Sequence, residues 1–304
     1  MPMFAAPDAK GQPKVTIVMK IAALMVATPF AWASAPIDAL GETRASVTLE
    51  GATISLHTGP SMAAALLADL IPLGADEQLV FLSIDLNEGW KTYWRLPGRF
   101  GLAPDLDWQR SDNVAAATAH FPAPILFDEG DGTSIGYAAP TVWPIVLQPE
   151  DSDRPMTYRL SLEIGLCAVL CLPERVELSA PSDSSSVDQD IALAKIFALH
   201  DDLAQGTQPL SALSLERGDD QISVAGSPMI SQNEPAQNRR GLERFAVVED
   251  AGGRHSVLHP AESRFGEAPI MSGPWTWPTP ITRVTVIEPG AAMHVYTGQM
   301  TSTP

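Results

Sequence analysis

Residues 79–98 read LVFLSIDLNEGWKTYWRLPG, and this stretch decides the fold class. Residues 79–86 are mostly large and apolar, which is typical of a buried β-strand. Residues 87–89, Asn-Glu-Gly, are a turn signal, because asparagine and glycine tolerate the backbone angles of a tight turn. Residues 90–95 predict a returning aromatic strand, and Leu-Pro-Gly at residues 96–98 ends it.

Short apolar stretches separated by turns continue on both sides of this segment. The 27 prolines and 22 glycines are spread along the chain, which favours many short strands over long helices. We therefore predict an all-β protein whose residues 36–180 form an immunoglobulin-like antiparallel sandwich. Further strands are predicted within residues 41–58, 104–108, 114–120, 141–147, 156–164 and 174–178.

The second half of the chain predicts a separate β-rich region. Residues 181–210 contain a polar, serine-rich stretch and a segment with helical spacing at 187–200, so we predict a linker and a helix. Short strand patterns return after residue 210. We expect residues 211–304 to form a second, smaller β-sandwich-like domain.

The N-terminus has the pattern of an export signal. Basic residues precede an apolar run at residues 21–32, and Ala31-Trp32-Ala33 has the small-x-small form that signal peptidase accepts. We predict that residues 1–33 are removed and that the rest is a soluble periplasmic protein without a membrane span. The alternative is an uncleaved membrane anchor.

The negative net charge of the chain argues against some classes of binding partner. The formal net charge is -17, so the surface should repel nucleic acid and anionic lipid headgroups. The simpler explanation is that the acidic side chains only keep the protein soluble. We predict no nucleic-acid partner.

The two cysteines of the chain lie close together, at Cys167 and Cys171 in GLCAVLCLP, residues 165–173. A structural disulfide would close so short a loop for only about 2 kcal/mol in the chain-entropy model. Two thiolates could instead hold copper(I), but this segment contains no histidine or methionine. Thiol–disulfide exchange is the interpretation that we favour, since an oxidising compartment allows a cysteine pair to cycle.

Exchange needs one thiol that forms a mixed disulfide with a partner and a second that resolves it. The residues around the pair are apolar and predict a docking patch for a partner protein. They include neither a base nor a cation that would activate a thiol, so activation must come from residues distant in sequence or from the partner. The local sequence does not decide which cysteine is exposed.

Three segments together resemble the N-terminal periplasmic domain of the DsbD and ScsB thiol:disulfide interchange proteins, with the order and spacing of the ScsB branch. The first is residues 89–98, followed by 104–108 and 111–114. The second runs from Phe-Pro-Ala-Pro at 121–124 through an acidic loop to Ile-Gly-Tyr at 135–137, and the third is the cysteine segment at 165–173.

The resemblance implies that Cys167 and Cys171 receive electrons from a thioredoxin-like domain or a membrane thiol reductase and pass them to oxidised periplasmic proteins. No cofactor is implied beyond the redox-active disulfide. A cap loop would fall near residues 127–134, and Tyr93 and Phe127 would be neighbours of the pair. Both aromatics could equally be core residues.

The sequence also departs from the large members of that family. It lacks their multi-helix membrane conduit and their C-terminal thioredoxin-like domain, so we expect a separate electron donor. The chain would then be a protein-disulfide reductase component. The alternative function is a non-catalytic periplasmic binding module, or a copper(I)-binding protein with a structural disulfide.

Overall fold

The computed structural model describes residues 45–58, 65–129, 132–181, 203–225, 243–261, 270–277, 279–288 and 292–298. All of them belong to one compact unit, Glu42–Pro304. The predicted signal peptide at 1–33 and the predicted helix at 187–200 lie outside the described residues. Within the described ranges, no helix has the length and apolarity needed to cross a bilayer.

Strands account for most of the regular secondary structure of the described residues, so the all-β prediction is confirmed. The strands are numbered in chain order: β1 (Ser46–Thr48), β2 (Ala52–Thr58), β3 (Gln78–Leu86), β4 (Lys91–Gly98), β5 (Asp105–Asp107), β6 (Val114–Ala119), β7 (Ile125–Asp128), β8 (Thr133–Tyr137), β9 (Thr141–Pro149), β10 (Thr157–Cys167), β11 (Cys171–Pro181), β12 (Ala204–Pro209), β13 (Ser214–Arg217), β14 (Gln221–Ala225), β15 (Phe245–Asp250), β16 (His255–Ala261), β17 (Ile270–Pro274), β18 (Ile281–Glu288) and β19 (Ala292–Thr297).

The first eleven strands form two sheets. One sheet has the order β1-β2-β3-β9-β6, and the other has the order β11-β10-β4-β8-β7, with β5 added beside β10. Apolar side chains such as Ile54, Leu82, Trp94, Trp143 and Leu162 fill the core and are almost completely buried. This arrangement is the predicted sandwich, since alternate residues of both sheets face one interior.

The predicted turn at residues 87–89 is present, but it does not make a hairpin. Gly89 has a φ of 80°, and the N–H of Trp90 donates to the carbonyl of Asn87 at 3.0 Å. The chain then crosses between sheets, because β3 pairs with β2 and β9 whereas β4 pairs with β10 and β8. The strand predicted at residues 90–95 is therefore present, but it pairs with β10 and β8 and not with β3.

The acidic loop expected between residues 124 and 135 is wrong, because β7 and β8 form an antiparallel hairpin there. Phe127 pairs with Ser134, and Ile125 pairs with Gly136. Residues 128–132 of the sequence are all acidic or glycine, and this composition hides the apolar residues of the two short strands. The chain is therefore regular up to Asp128 and again from Thr133.

The second half forms an eight-stranded path, β12-β19-β18-β15-β16-β17-β14-β13. Strand β16 pairs with β15 through residues 255–258 and with β17 through residues 259–261, so it links two parts of the path. A common core that includes Ile222, Val248 and Trp275 lies between them. This is sandwich-like, as predicted, whereas the domain boundary at 181–210 stays a prediction.

The two halves also share apolar packing. Phe245, Val247, Ile287 and Met293 from the second half belong to the same core cluster as Trp94 of β4. Arg95, the next residue of β4, forms a bidentate ion pair with Glu249 of β15, with N–O distances of 2.8 and 2.5 Å. Strand β4 therefore contacts the second half directly.

Candidate thiol–disulfide site

Strands β10 and β11 form a long hairpin whose last pair is the two cysteines. Eleven residue pairs run from Thr157–Pro181 to Cys167–Cys171, and a loop of residues 168–170 joins the strands. The cysteines are joined by a disulfide, and their Cα atoms are 4.0 Å apart. The strand patterns predicted for residues 156–164 and 174–178 therefore extend to the sulfurs themselves.

The two cysteines differ in burial, which the sequence did not decide. Cys167 is 0% exposed, whereas Cys171 is exposed to solvent. A disulfide is cleaved by a thiolate that approaches one sulfur along the bond, so access decides which sulfur is attacked. The geometry favours attack at Cys171, with Cys167 as the leaving group.

Tyr93 of β4 contacts both sulfurs. Its hydroxyl oxygen lies 3.0 Å from Sγ of Cys167 and 3.1 Å from Sγ of Cys171. Neither sulfur carries a hydrogen in the disulfide, so the phenol donates. Burial, and secondarily the charge of Glu129, raises the pKa of Tyr93, so the hydroxyl keeps its proton at neutral pH.

Two glycines leave the space that the Tyr93 ring occupies. A Cβ atom on Gly101 would lie 2.6 Å from Cδ1 of Tyr93, and a Cβ atom on Gly165 would lie 3.0 Å from Cδ2. The Thr92 hydroxyl donates to the carbonyl of Gly165 at 2.9 Å, which holds β4 against β10. The neighbouring Trp94 belongs to the sandwich core, whereas Tyr93 faces the disulfide.

Lys91 is a site residue that the sequence reasoning missed. It is the cross-strand partner of Cys167 on β4. Its ammonium group lies 2.5 Å from Oε1 of Glu129 and 4.9 Å from the ring centre of Phe127. Lys91 therefore links β4 to the end of the β7–β8 hairpin. Because Lys91 precedes Tyr93 by two residues on one strand, the two side chains face the same side of the sheet, and this spacing could have predicted the place of Lys91.

Phe127 lies on β7 and is half-buried. Its ring contacts Lys91, and Lys91 is the cross-strand partner of Cys167, so Phe127 is linked to the pair through that lysine. It does not belong to the sandwich core cluster. The contact through a lysine differs from the direct sulfur contacts of Tyr93.

The exposed apolar side chains fall in two short segments of the chain. Among the described residues, the large hydrophobic side chains that are exposed are Phe100, Leu102, Val169 and Leu170, at 43%, 43%, 105% and 71%. Two are at the tip of the β10–β11 hairpin, and two are in residues 99–104 after β4, beside Gly101. We call these four residues the apolar rim, and exposed apolar clusters of this kind mark interaction surfaces.

A metal site has no support in the described part of the chain. No group of three or more histidine, cysteine, aspartate or glutamate side chains there could hold a metal ion. The copper(I) alternative remains an untested prediction.

The fold and the site define a β-sandwich domain with a disulfide that is exposed through one cysteine of a hairpin. Residues 68–183 match the family model described as thiol:disulfide interchange protein DsbD, N-terminal, and this range contains every site residue named above. This part of the chain is therefore similar to that family, and the resemblance found in the sequence is confirmed.

The fold also matches a solved structure, the N-terminal periplasmic domain of ScsB from Proteus mirabilis. The TM-score is 0.57, and the match covers 86% of this chain and 100% of that chain at 19% sequence identity. The fold likeness therefore extends well beyond the residues that the family model matches. Comparison with curated protein sequences gives no match.

Proposed function

We propose that this chain is a periplasmic thiol–disulfide exchange protein, which relays reducing equivalents from a thioredoxin-like partner to oxidised periplasmic proteins. The observation that carries the proposal is the disulfide between buried Cys167 and exposed Cys171 at a hairpin end. The family model that residues 68–183 match supports interchange chemistry. The predicted signal at residues 1–33 and the periplasmic origin of the matched ScsB domain support the location.

The reaction follows from the difference in burial. A thiolate of the reduced partner attacks Sγ of Cys171, the bond between the cysteines breaks, and Cys167 leaves as a thiolate that takes up a proton. A second thiol of the partner then attacks the mixed disulfide and releases Cys171. The partner loses two electrons and becomes a disulfide, while the cysteine pair gains two electrons and two protons.

The second half of the cycle reverses these roles. The Cys171 thiolate attacks the disulfide of an oxidised protein, and one sulfur of that protein leaves as a thiolate. Cys167 then resolves the mixed disulfide, which restores the Cys167–Cys171 bond and leaves the substrate as a dithiol. The net result is the transfer of two electrons from partner to substrate.

Three sets of residues around the pair have proposed roles. The Tyr93 hydroxyl donates to the sulfur that carries negative charge after cleavage, and such charge-assisted hydrogen bonds are stronger than neutral ones. The apolar rim gives a partner protein an area to bury as it approaches Cys171. Phe127 and Lys91 hold the β7–β8 hairpin beside the pair.

The test is a comparison of the two single cysteine variants. Cys167→Ser leaves Cys171 without a resolving thiol, so we expect a stable mixed disulfide with a thioredoxin that itself lacks its resolving cysteine. The adduct is detected by non-reducing gel and mass spectrometry after oxidative coupling through a thionitrobenzoate leaving group.

Cys171→Ser is the matched control, because it leaves only the buried thiol. We expect much less adduct from it, although both variants have one cysteine. If neither folded variant forms an adduct with thioredoxin, the relay proposal is wrong. If Cys171→Ser forms the adduct faster, the assignment of Cys171 as the attacked sulfur is wrong.

A further inference from the structure

Strand β4 links the disulfide site to the second half of the chain, and its backbone pairing is interrupted partway along it. Thr92 has cross-strand partners on both β10 and β8. Beyond Tyr93, β10 pairs with β5 instead, and the register between β4 and β8 is interrupted until Gly98. In the described structure, residues 94–97 therefore have no cross-strand partner in this sheet.

Side chains of the second half hold β4 in this unpaired stretch. Trp94 is buried and belongs to the same core cluster as Phe245 of β15. Arg95 forms the bidentate ion pair with buried Glu249 of β15, and its guanidinium carbon lies 4.4 Å from the ring centre of Trp94. Contacts with β15 therefore fix β4 immediately after Tyr93.

The placement of β4 decides the alignment of the Tyr93 hydroxyl. This group lies 3.0 and 3.1 Å from the two sulfurs, and a hydrogen bond weakens steeply when its distance or angle changes. Gly101 and Gly165 lie close to opposite edges of the ring, so the ring cannot turn to compensate for a shift of its backbone. A small shift of β4 would therefore move the hydroxyl away from at least one sulfur.

We propose that Glu249 is a positioning residue for the disulfide site, because its ion pair with Arg95 holds β4 so that the Tyr93 hydroxyl reaches both sulfurs. The second half of the chain then influences the reactivity of the cysteine pair, although none of the site residues named above belongs to it. The inference rests on the role of Tyr93 in the proposed exchange and not on the identity of the partner.

The test is a double-mutant cycle on the rate at which dithiothreitol reduces the oxidised full chain, measured by stopped-flow fluorescence. Glu249→Gln should slow reduction about threefold when Tyr93 is present, because the hydroxyl is no longer held on both sulfurs. In the Tyr93→Phe background, the same substitution should change the rate less than about 1.5-fold, because the hydroxyl is already absent.

Two further variants keep the test independent of stability. Glu288→Gln is the matched control, since Glu288 forms an ion pair with Arg244 within the second half, and the two side chains are 17% and 9% exposed. It removes the same charge from a similarly buried pair without a contact to β4, so it should leave the rate unchanged in both backgrounds. Arg95→Lys keeps the positive charge but loses the bidentate geometry, and it should slow reduction about twofold.

The NMR signal of the ¹³Cζ atom of Tyr93, assigned with Tyr93→Phe, reports the hydrogen bonding of the phenol directly. Glu249→Gln should shift this signal, whereas Glu288→Gln should not. Circular dichroism establishes that each variant is folded before the rates are compared.

The outcomes decide the proposal. An equal loss of rate from Glu249→Gln with and without the Tyr93 hydroxyl would mean that the ion pair acts on the scaffold, and the proposal would be wrong. Unchanged rates in the folded Arg95 and Glu249 variants would also overturn it. A loss that disappears in Tyr93→Phe supports the proposal even if thioredoxin forms no adduct, so its failure is distinguishable from failure of the relay.

Discussion

Strand β4 lies between two hairpins that end in opposite ways. The β10–β11 hairpin, on one side, ends in Val169 and Leu170, both exposed and apolar. The β7–β8 hairpin, on the other side, ends near Glu129, which Lys91 of β4 binds as an ion pair. The disulfide closes the first hairpin, and Tyr93 of β4 contacts both of its sulfurs.

Because the two hairpin ends differ in polarity, we expect the two hairpins to have different roles in the proposed function. An exposed apolar tip gains free energy when a partner covers it, so it suits docking. A charged tip held by an ion pair gains little from docking and instead keeps its own hairpin in place beside the sulfurs. Substitutions at the two hairpins should therefore change different rates.

The largest effect is expected at the apolar tip. Val169→Ser with Leu170→Ser should slow reduction by thioredoxin about 100-fold, since each side chain loses about 1.5 kcal/mol or more of burial at the interface. Reduction by dithiothreitol, which needs no docking surface, should change less than about twofold. Stopped-flow fluorescence with both reductants measures the ratio, and an equal loss with both would contradict a docking role.

A smaller effect is expected for the hydroxyl between the hairpins. Tyr93→Phe removes the donor that both sulfurs share, so reduction by dithiothreitol and by thioredoxin should slow about tenfold. Tyr158→Phe is the matched control, because its hydroxyl bonds to Gln78 elsewhere in the sandwich. If the two variants behave alike, Tyr93 has no role beyond packing.

The smallest effect is expected at the charged tip. The ion pair is partly exposed and is worth up to about 1 kcal/mol, so Lys91→Met should speed reduction by dithiothreitol about threefold as the β7–β8 hairpin loosens. Glu129→Gln should give the same change, and salt should weaken both effects.

Arg154→Met is the control for this comparison, since it breaks an exposed ion pair with Asp112 in the same sandwich. It should leave the rate unchanged. Slower reduction in Lys91→Met but not in Glu129→Gln would mean that the lysine stabilises a thiolate rather than the hairpin.

The sequence predicted the strands whose apolar residues are continuous. Residues 79–86 and 90–95 lie within or next to β3 and β4, and both have strong aromatic or aliphatic patterns. Strands β16 and β17 have no clear strand pattern in the sequence, because Pro260, Gly273 and Pro274 interrupt them with turn-forming residues. The crossing of β4 between sheets has no local signal, since it depends on which distant strand is nearest.

The sequence predicts the two cysteines of the site but fewer of the residues around them. Residues 168–170 are as apolar as the strands beside them, so the end of the hairpin and the burial of Cys167 follow only from the three-dimensional register. Gly165 within a strand is a signal of close approach that could have predicted the space for Tyr93. The contact of Lys91 with Phe127 could not be predicted, because the sequence indicates a loop where β7 and β8 form a hairpin.

The register of the cysteine hairpin has a consequence for the thermal behaviour of the protein. Eleven backbone pairs already hold β10 and β11 together, so opening the sulfur–sulfur bond releases only residues 168–170 from a closed ring. In the chain-entropy model, so small a ring contributes only about 2 kcal/mol, well below the value for a bridge between distant segments. The reduced protein should then unfold a few degrees below the oxidised protein, with the pairing of β10 and β11 kept in both states.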